Sequence, residues 1–379
     1  MRIRIVGGGP AGLYLAYLLA RLEAGHEIEI WEQNEKGATF GFGVVFSDQA
    51  LGFLKEDDPA THDLIAPEME RWRDLKINHA GETVTLDGIG FAAIGRHRLL
   101  ELLTKRLETT GIEPRWRRRT EASDVLDGAD LVVGADGVNS VVRQAADFAT
   151  TNRPLANRFA WFGVEKPFDA LTQTFIRTDK GQFNAHHYRF TPARSTFIVE
   201  CDPATFAAYG FESMGEEDSA ALCADLFAEV LDGQPLLTNK SNWRRFPQLW
   251  NDRWSAGNAV LIGDALRTAH FSIGSGTRLA LEDAIALAHA IGETGEDGPA
   301  ALALFEERRR PIVEKLVAAA NASAAWYEEF PDHMRLDPYD FAWSYIGRSG
   351  RVDPERLEKL SPAFVAAYRA AKGEEAANP

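Results

Sequence analysis

Arg2-Ile3-Arg4-Ile5-Val6-Gly7-Gly8-Gly9-Pro10-Ala11-Gly12 reads as a strand, a glycine-rich turn and the start of a helix. The glycines at positions 7, 9 and 12 stand at G-x-G-x-x-G spacing, and a second strand over residues 27–31 is followed by Glu32. Glu32 lies 20 residues after Gly12, where a dinucleotide-binding fold places a carboxylate for the adenosine ribose. A helix amino terminus also favours phosphate charge. These features predict a βαβ unit that binds a dinucleotide.

The glycines of this turn have distinct steric reasons. One permits the tight turn, one lets backbone N–H groups approach a pyrophosphate, and one lets the helix pack against the strand. The residues of this unit that we expect to bind the dinucleotide are Gly7, Gly9, Pro10, Ala11, Gly12, Glu32 and Gln33.

Composition and charge argue against several classes of protein. The chain has 379 residues, enough for two interlocked domains, and its formal net charge of −15 disfavours nucleic acid and anionic membranes as partners. Cys201 and Cys223 form neither a disulfide framework nor a metal-ligand pattern, so we expect a reducing cytoplasm and no metal site. The chain opens directly on a strand, which leaves no room for a signal peptide, and no apolar run approaches the length of a membrane helix.

The character of the sequence changes twice along the chain. Residues 74–78 and 82–86 alternate with period two about a turn, which predicts a hairpin. Residues 158–201 are aromatic and β-prone and predict an antiparallel sheet, followed by a helix over 220–231. A buried strand over 258–262 and a helix over 276–291 then return to the pattern of the amino terminus.

This order predicts an α/β protein with a discontinuous, Rossmann-like dinucleotide domain. We assign residues 1–73, 96–155 and 248–325 to that domain, 74–95 and 156–247 to an inserted antiparallel-sheet substrate domain, and 326–379 to a C-terminal helical segment with a frayed tail. Residues 330–360, which are aromatic, fit either a cap over the substrate mouth or a packing arm.

Two further glycine-rich segments follow buried strands. Residues 134–143 contain Asp136-Gly137, and Gly263-Asp264-Ala265 is followed by Gly274-Ser275-Gly276. On its own, each segment is typical of an ordinary strand–turn–helix crossing. An aspartate at the carboxyl end of a strand can also accept hydrogen bonds from a polyol such as ribityl. A helix amino terminus suits the negative charge of a reduced flavin.

In this order and spacing, the three segments resemble the group A flavoprotein monooxygenases, the single-component aromatic hydroxylases, over about residues 1–320. The resemblance implies a p-hydroxybenzoate hydroxylase-like fold with a glutathione-reductase-type FAD domain. It also implies NADPH or NADH as a co-substrate without a domain of its own. The further FAD contacts that it implies are Gly43, Val44, Val45, Arg96, Asp136, Gly137, Asp264, Gly274, Ser275, Gly276 and Thr277.

Some of these assignments have ordinary alternatives. Arg96 equally fits a solvated residue at a helix start, and residues 43–45 fit a loop that closes over ordinary surface. The third segment also departs from most of the family. His270 and Phe271 stand where prolines are usual, and Arg267 stands where many members carry histidine.

The amino-acid sequences of four segments resemble those of the subgroup that hydroxylates aryl-CoA thioesters. The segments are residues 40–47, 183–188, 196–201 and 270–277. The resemblance implies 5-hydroxylation of salicylyl-CoA to gentisyl-CoA with O2, through a C4a-hydroperoxyflavin. A free aromatic acid, aminobenzoyl-CoA and an indole or tryptophan-derived substrate are alternatives. An FAD reductase without oxygen insertion and a non-catalytic scaffold are more distant ones.

Two histidines are candidate catalytic residues. His186 and His187 follow one another on a predicted strand and therefore point to opposite faces; we prefer His186 as a base for a phenolic substrate. His270 is a candidate hydrogen-bond donor to the substrate or the peroxide. The alternatives are a buried structural histidine at position 186 and a residue chosen for turn geometry at position 270.

Coenzyme A requires cationic contacts, and two basic runs could supply them. Arg115 and Arg117–Arg119 lie on a predicted strand, and Arg244-Arg245 form the second run. Such runs are more commonly solvated edges. We expect the protein to be a monomer or a homodimer.

Overall fold

The computed structural model describes residues 1–47 and 51–373. The strands of this part of the chain are β1 (Arg2–Val6), β2 (Glu27–Trp31), β3 (Gly43–Ser47), β4 (Glu70–Trp72), β5 (Leu75–His79), β6 (Glu82–Leu86), β7 (Phe91–Gly95), β8 (Leu131–Gly134), β9 (Thr150–Val164), β10 (Leu171–Thr178), β11 (Gly181–Arg189), β12 (Ser195–Cys201), β13 (Leu236–Leu237), β14 (Arg244–Asn251), β15 (Ser255–Ala256) and β16 (Ala259–Leu261). The helices are α1 (Pro10–Arg21), α2 (Gly52–Asp57), α3 (Pro59–Ile65), α4 (Arg96–Glu108), α5 (Val141–Ala145), α6 (Pro203–Tyr209), α7 (Glu216–Leu226), α8 (Ala228–Leu231), α9 (Gly276–Thr294), α10 (Gly298–Glu328), α11 (Phe330–His333), α12 (Pro338–Gly347), α13 (Pro354–Leu360) and α14 (Pro362–Ala371).

A five-stranded sheet carries the amino-terminal glycine turn. Its order is β15-β16-β8-β1-β2, and all neighbours run parallel except the short pair β15–β16. Because β1 lies inside the sheet with both faces covered, Ile3 and Ile5 are fully buried. Arg4 is also buried, since its guanidinium stacks 3.8 Å from the centre of the Trp31 ring and pairs with Glu29 at 2.7 Å.

An eight-stranded sheet forms the second layer. Its order is β13-β9-β12-β11-β10-β5-β6, and β14 also pairs with β9. The expected hairpin is present as β5–β6. The sheet is mixed rather than wholly antiparallel, because β10 runs parallel to β5. These two strands are far apart in the chain, so no tight turn forces them to be antiparallel.

A third, small sheet has the order β3-β7-β4. It includes β7, whose residues belong to the 74–95 segment that we group with the substrate domain. The expected single helix over 220–231 is wrong. It divides into α7 and α8 at Phe227, which leaves helical dihedrals (φ −110°, ψ 23°) and buries its ring against Phe197.

Aspartate–proline pairs start many of the helices. The carboxylates of Asp58, Asp202, Asp337 and Asp353 each accept backbone N–H groups of the helix that begins at the following proline. Aspartate is a preferred cap, and proline at the first helical position loses no hydrogen bond. Each of these aspartate–proline pairs therefore marks the start of a helix.

The C-terminal helices pack on the β5–β6 hairpin. Their aromatic side chains share one buried cluster with Leu75, Ile77 and Leu86. The segment over 330–360 thus packs on this face of the sheet, and its Arg348 also reaches the third glycine turn, where it donates to Ser272 O at 2.9 Å. Residues 374–379 of the expected frayed tail lie outside the described residues. None of the described helices is both long and apolar enough to cross a bilayer.

The first basic run does not form the predicted strand. Arg115 makes one bridge with Trp31, after which the chain turns at Arg117 (φ +58°). The backbone N–H of Arg118 then donates to Glu32 O at 2.8 Å. A positive φ is unfavourable for an extended strand, so the pairing ends after a single residue.

Candidate active site and cofactor cavity

A cavity of about 930 Å³ opens where the three glycine-rich segments meet. This volume is near the upper end of the range for ligand pockets. Of the residues expected to contact the cofactor, those that line the cavity are Gly7, Gly9, Pro10, Ala11, Glu32, Gln33, Arg96, Asp136, Gly137, Asp264, Gly276 and Thr277. Those that do not line it are Gly12, Gly43, Val44, Val45, Gly274 and Ser275.

Close packing explains the glycines of the first turn. Gly7 has φ +111°, and a methyl group there would collide with the backbone of Ala135. A methyl group at Gly12 would collide with the Gly7 carbonyl, so Gly12 serves the packing of α1 on β1. Gly9 has open space in front of it, and no side chain caps α1 there. The start of α1 is therefore accessible to an anion in the cavity.

Glu32 is held at the wall of this cavity by backbone groups. One carboxylate oxygen accepts the N–H of Gly8 at 2.7 Å, and the other accepts the backbone N–H of Asn34 at 2.7 Å. The oxygen bound to Asn34 also accepts its side-chain amide at 2.7 Å, whereas the oxygen bound to Gly8 can accept a further hydrogen bond. The carboxylate can therefore receive the hydroxyl groups of a ribose.

The second segment places an unsatisfied oxygen near the cavity. Asp136 accepts the N–H of Val141 at 2.7 Å through one carboxylate oxygen and so helps to cap α5. Its other oxygen is buried and has no hydrogen-bond partner among the described residues. Burial raises the pKa of Asp136, although the hydrogen bonds it accepts act in the opposite direction. Asp136 thus helps to cap α5 through one oxygen, and its other oxygen can accept a hydrogen bond from a ligand.

Asp264 faces the cavity from a turn that ion pairs hold. Surrounding protein raises the pKa of its carboxyl, while the charges of Arg267 and Arg96 oppose the rise. Gly263, in the left-handed conformation (φ +61°), donates its N–H to Asp283 at 3.0 Å. Arg267 donates to the Gly263 carbonyl at 2.7 Å and pairs with Asp283 at 2.8 Å.

Arg267 stands where many members of the resembling family carry histidine, and the sequence alone does not explain this difference. The structure buries it completely and makes it a brace for the turn that presents Asp264. A second arginine, Arg309, pairs with the same Asp283 at 2.9 Å. Sequence reasoning missed this network, since ion pairs between α9, α10 and a turn leave no local pattern.

Arg96 begins α4 and points its charge into the cavity. Its backbone N–H donates to Phe42 O at 2.8 Å. Burial lowers the pKa of its guanidinium, and the charges of Asp264 and Tyr188 act against this. None of the carboxylates in the described part of the chain forms an ion pair with it. A half-buried cation in a cavity wall, without an ion-pair partner among the described residues, favours an anionic ligand.

The β3 strand lies beside the cavity rather than in its wall. The N–H of Gly43 donates to Thr196 Oγ1 at 2.9 Å, and the hydroxyl of Tyr188 donates to Gly43 O at 3.0 Å. At the other side of β3, a methyl group on Gly274 would lie 3.1 Å from Val45 Cγ1. The strand therefore joins the eight-stranded sheet to the third glycine turn.

The structure brings the two candidate histidines together. His186 and His270 are 4% and 2% exposed, and both rings lie within 6 Å of the rings of Phe271 and Tyr327. Neither histidine lines the 930 Å³ cavity. His187 points to the other face of the sheet, where it packs on Phe197, as the alternation of the strand requires.

Burial keeps both candidate histidines neutral. It lowers the pKa of His270 to about 3, with the charge of Arg348 acting in the same direction. Burial, then the charges of His270 and Arg348, place the pKa of His186 well below its usual range. Gln173, Tyr327 and Arg348, which surround these rings, were missed in the sequence because strand and helix positions far apart in the chain carry no joint signal.

The basic runs have different surroundings. Arg118 and Arg119 line the cavity, while Arg115 pairs with Glu29 at 3.2 Å. In the second run, partial burial and the charge of Arg96 lower the pKa of Arg244. Arg245 stands directly opposite Arg158 across β14 and β9.

Two family models match the chain. The model described as an FAD binding domain matches residues 85–320, and one described as an NAD(P)-binding Rossmann-like domain matches residues 5–41. These ranges cover the three glycine-rich segments that line the cavity.

Three curated relatives and one solved structure are similar to the chain. Salicyloyl-CoA 5-hydroxylase of a Streptomyces species is 39% identical over 96% of this chain and 72% of its own. A 3-hydroxy-4-methyl-anthranilyl-[aryl-carrier protein] 5-monooxygenase of Streptosporangium sibiricum is 39% identical (88% and 90%). Protodeoxyviolaceinate monooxygenase of Chromobacterium violaceum is 34% identical (93% and 96%).

The solved structure of tetrameric 2-methyl-3-hydroxypyridine-5-carboxylic acid oxygenase shares the fold. It superposes with a TM-score of 0.71 at 19% identity, over 95% of each chain. This superposition shows the mixed α/β fold, and the identity to the curated relatives shows the family. The chain belongs to the FAD-dependent aromatic monooxygenases and is an enzyme that binds FAD and uses NAD(P)H as its co-substrate.

Proposed function

We propose that the protein hydroxylates the ring of an aromatic acyl-CoA thioester, with salicylyl-CoA as substrate and gentisyl-CoA as product. The observation that carries the proposal is 39% identity with a salicyloyl-CoA 5-hydroxylase over 96% of the chain. A second relative at the same identity is named for an aryl group on a carrier protein. A relative named for protodeoxyviolaceinate keeps the indole-type alternative open to test.

FAD fits the cavity on three observations. The uncapped start of α1 faces open space at Gly9, Arg96 is a half-buried cation of the cavity wall without a described ion-pair partner, and one oxygen of Asp136 lacks a donor. We propose that Glu32 binds the ribose of the ADP half, Arg96 the phosphates and Asp264 the ribityl chain. The flavin ring would then lie toward Gly276 and Thr277, which line the cavity. Contacts with Gly43–Val45, Gly274 and Ser275 would require the ring to reach past the cavity toward β3.

This placement implies the domain division that we expect from the sequence. The FAD domain, of the glutathione-reductase type, comprises residues 1–73, 96–155 and 248–325, with the sheet of 74–95 and 156–247 inserted as the substrate domain. The C-terminal helices from residue 326 onward support that sheet through their aromatic cluster.

The residues of this chain position the substrate and control its protons. FAD, when bound, supplies the redox chemistry of hydride uptake and oxygen activation. His270 Nδ1 accepts the backbone N–H of Ser272 at 3.4 Å and lies 2.8 Å from Ser272 Oγ. We propose that the Ser272 hydroxyl also donates to Nδ1, so that the neutral ring carries its proton on Nε2 and can donate to a substrate oxygen. Phe271 and Tyr327 pack around this ring and exclude water.

The thioester arm requires cations outside the ring site. Arg244 lies close to Arg96, and Arg245 stands opposite Arg158 on β9, with its guanidinium donating to the carbonyls of Leu155 and Pro154. Like charges directly opposite each other on a sheet are unfavourable unless an anion joins them. We propose that the phosphates of coenzyme A bind along β14.

Oxygen uptake measured beside NAD(P)H oxidation tests the proposal. Holoenzyme is given salicylyl-CoA, free salicylate, 2-aminobenzoyl-CoA or tryptophan in turn. We expect rapid, coupled consumption of O2 and NAD(P)H with salicylyl-CoA and slow oxidation with free salicylate. Faster coupled turnover of salicylate or of the indole compound would overturn the substrate. NAD(P)H oxidation without O2 consumption would indicate a reductase.

We also propose a monomer or homodimer in the cytoplasm. Both cysteines are free thiols buried in the structure, which suits a reducing compartment. Sedimentation of the holoenzyme measures the mass directly, and a tetramer would contradict this proposal.

A further inference from the structure

Three side chains form one chain of hydrogen bonds beside the candidate histidines. Gln173 and His186 lie directly opposite each other on β10 and β11, with Gln173 Nε2 at 3.1 Å from His186 Nδ1. The hydroxyl of Tyr327 lies 3.1 Å from Gln173 Oε1 and 3.3 Å from the hydroxyl of Tyr345. Tyr345 can donate its own proton to the Tyr327 oxygen, which leaves the Tyr327 proton for Gln173 Oε1. All three side chains are buried.

This chain decides which nitrogen of His186 carries the proton. The Gln173 oxygen is occupied by the Tyr327 hydroxyl, so the amide nitrogen faces the imidazole. An amide NH2 group donates and does not accept, and Nδ1 must therefore be the acceptor. In the neutral ring the single proton then resides on Nε2.

The Nε2–H group is a buried donor with no acceptor in the described part of the chain. A buried donor that lacks a partner is destabilising, and proteins rarely retain one unless a ligand or an ordered water completes it. His186 lies edge-on to Phe271, with ring centres 5.3 Å apart, and Phe271 also contacts His270 at 4.2 Å. The unsatisfied donor therefore lies in the same niche as His270, which we define by the rings of His186, His270, Phe271 and Tyr327.

We infer that His186 is a hydrogen-bond donor, through Nε2–H, to an oxygen substituent of the bound aromatic substrate, and that Gln173 and Tyr327 are the positioning residues that fix this tautomer. The inference rests on the proposed function for the identity of the substrate. It replaces the sequence-based expectation that His186 acts as a base, because a base needs an unprotonated nitrogen facing the substrate. Together with His270, it gives the niche two neutral N–H donors, which suit a carbonyl or phenolic oxygen.

Histidine tautomers can be read directly by nitrogen NMR on holoenzyme labelled with ¹⁵N-histidine. We expect the His186 signals, assigned by their loss in His186→Asn, to show a protonated Nε2 and an unprotonated Nδ1. In Gln173→Glu, the carboxylate can accept but not donate, so the proton should move to Nδ1. His187, on the other face with Nε2 at 2.9 Å from Thr174 Oγ1, is the internal control and should not change.

A pair of variants separates a donor from a base by activity. Gln at position 186 keeps an N–H donor and lacks a titratable group, whereas Ala lacks both. We expect His186→Ala to reduce kcat about 100-fold and His186→Gln to recover a large part of the loss. Tyr327→Phe should lower kcat while FAD still binds.

Two results would overturn the inference. One is a protonated Nδ1 on His186 in wild-type holoenzyme, and the other is a His186→Gln variant that binds FAD and is as inactive as His186→Ala. The tautomer is measured without turnover. A protonated Nε2 in an enzyme that does not oxidise salicylyl-CoA would thus support the tautomer and contradict only the substrate assignment.

Discussion

At the scale of single residues, we propose that Arg96 contributes more to FAD binding than any other side chain. Removing a charged partner of a phosphate costs about 1.5–3 kcal/mol. We therefore expect Arg96→Met to weaken FAD binding about ten- to 100-fold in titrations of apoprotein. Arg98→Met is the matched control, since Arg98 lies on the same helix but pairs with Glu68 at the surface. Equal FAD affinity in both variants would contradict the assignment.

Glu200 gives the protein a pH-dependent stability. Burial raises the pKa of this carboxyl to about 8, although Asn157 Nδ2 donates to it at 2.9 Å. The unfolded chain releases the proton at about pH 4.3, so the folded state alone holds it between that pH and about 8. Stability from this group is thus complete at low pH and declines as the pH rises toward 8, by at most about 1.4 kcal/mol per unit.

The variant Glu200→Gln removes this titration. We expect the unfolding free energy of the wild type to fall between pH 5 and pH 8 and that of Glu200→Gln to fall less over the same range. Chemical denaturation at a series of pH values measures both. Parallel curves for the two proteins would show that Glu200 is ionised in the folded state.

At the scale of secondary-structure elements, two glycines of the β1–α1–β2 unit have different roles. Gly12 allows α1 to pack on β1, and Gly9 leaves the start of α1 open to the cavity. Gly12→Ala should destabilise the apoprotein by about 1–3 kcal/mol, because its methyl group meets the Gly7 carbonyl. Gly9→Ala should leave the melting temperature close to wild type and weaken FAD binding, since its methyl group enters the open cavity. The two variants are each other's control. An equal loss of melting temperature would contradict this division.

The same unit shows how far the sequence could predict the elements. Its glycines, its alternating strands and Glu32 are local signals, and all of them appear where the pattern places them. The parallel pairing of β10 with β5 has no local signal, because it joins distant segments. The strand expected over the basic run fails for a backbone reason, the positive φ of Arg117.

At the scale of the whole molecule, the candidate site is assembled from distant parts of the chain. His186, His270 and Tyr327 come from β11, a glycine-rich turn and α10, so the sequence could nominate the two histidines but not the tyrosine that joins them. Most of the cavity residues were easier to predict, because they belong to glycine-rich segments or directly follow a strand of the first βαβ unit.

Among the described strands, β14 pairs with β9 alone, and it carries Arg244, which lies close to Arg96 of the cavity. In a chain of net charge −15, Arg244 and Arg245 place cations on the two faces of this sheet edge, where they can attract an anionic arm. The double variant Arg244→Gln, Arg245→Gln should raise KM for salicylyl-CoA about five- to tenfold and leave kcat largely unchanged. Arg253→Gln, which removes a surface pair with Asp147, is the control. An unchanged KM would place the phosphates elsewhere.

We propose that this enzyme inserts oxygen into the ring of an intact aromatic thioester. Mass spectrometry of the product formed from salicylyl-CoA under ¹⁸O2, with NAD(P)H and holoenzyme, measures this insertion. We expect one ¹⁸O atom on the ring at position 5, with coenzyme A still attached. A product without ¹⁸O, or labelled product only from free salicylate, would contradict it.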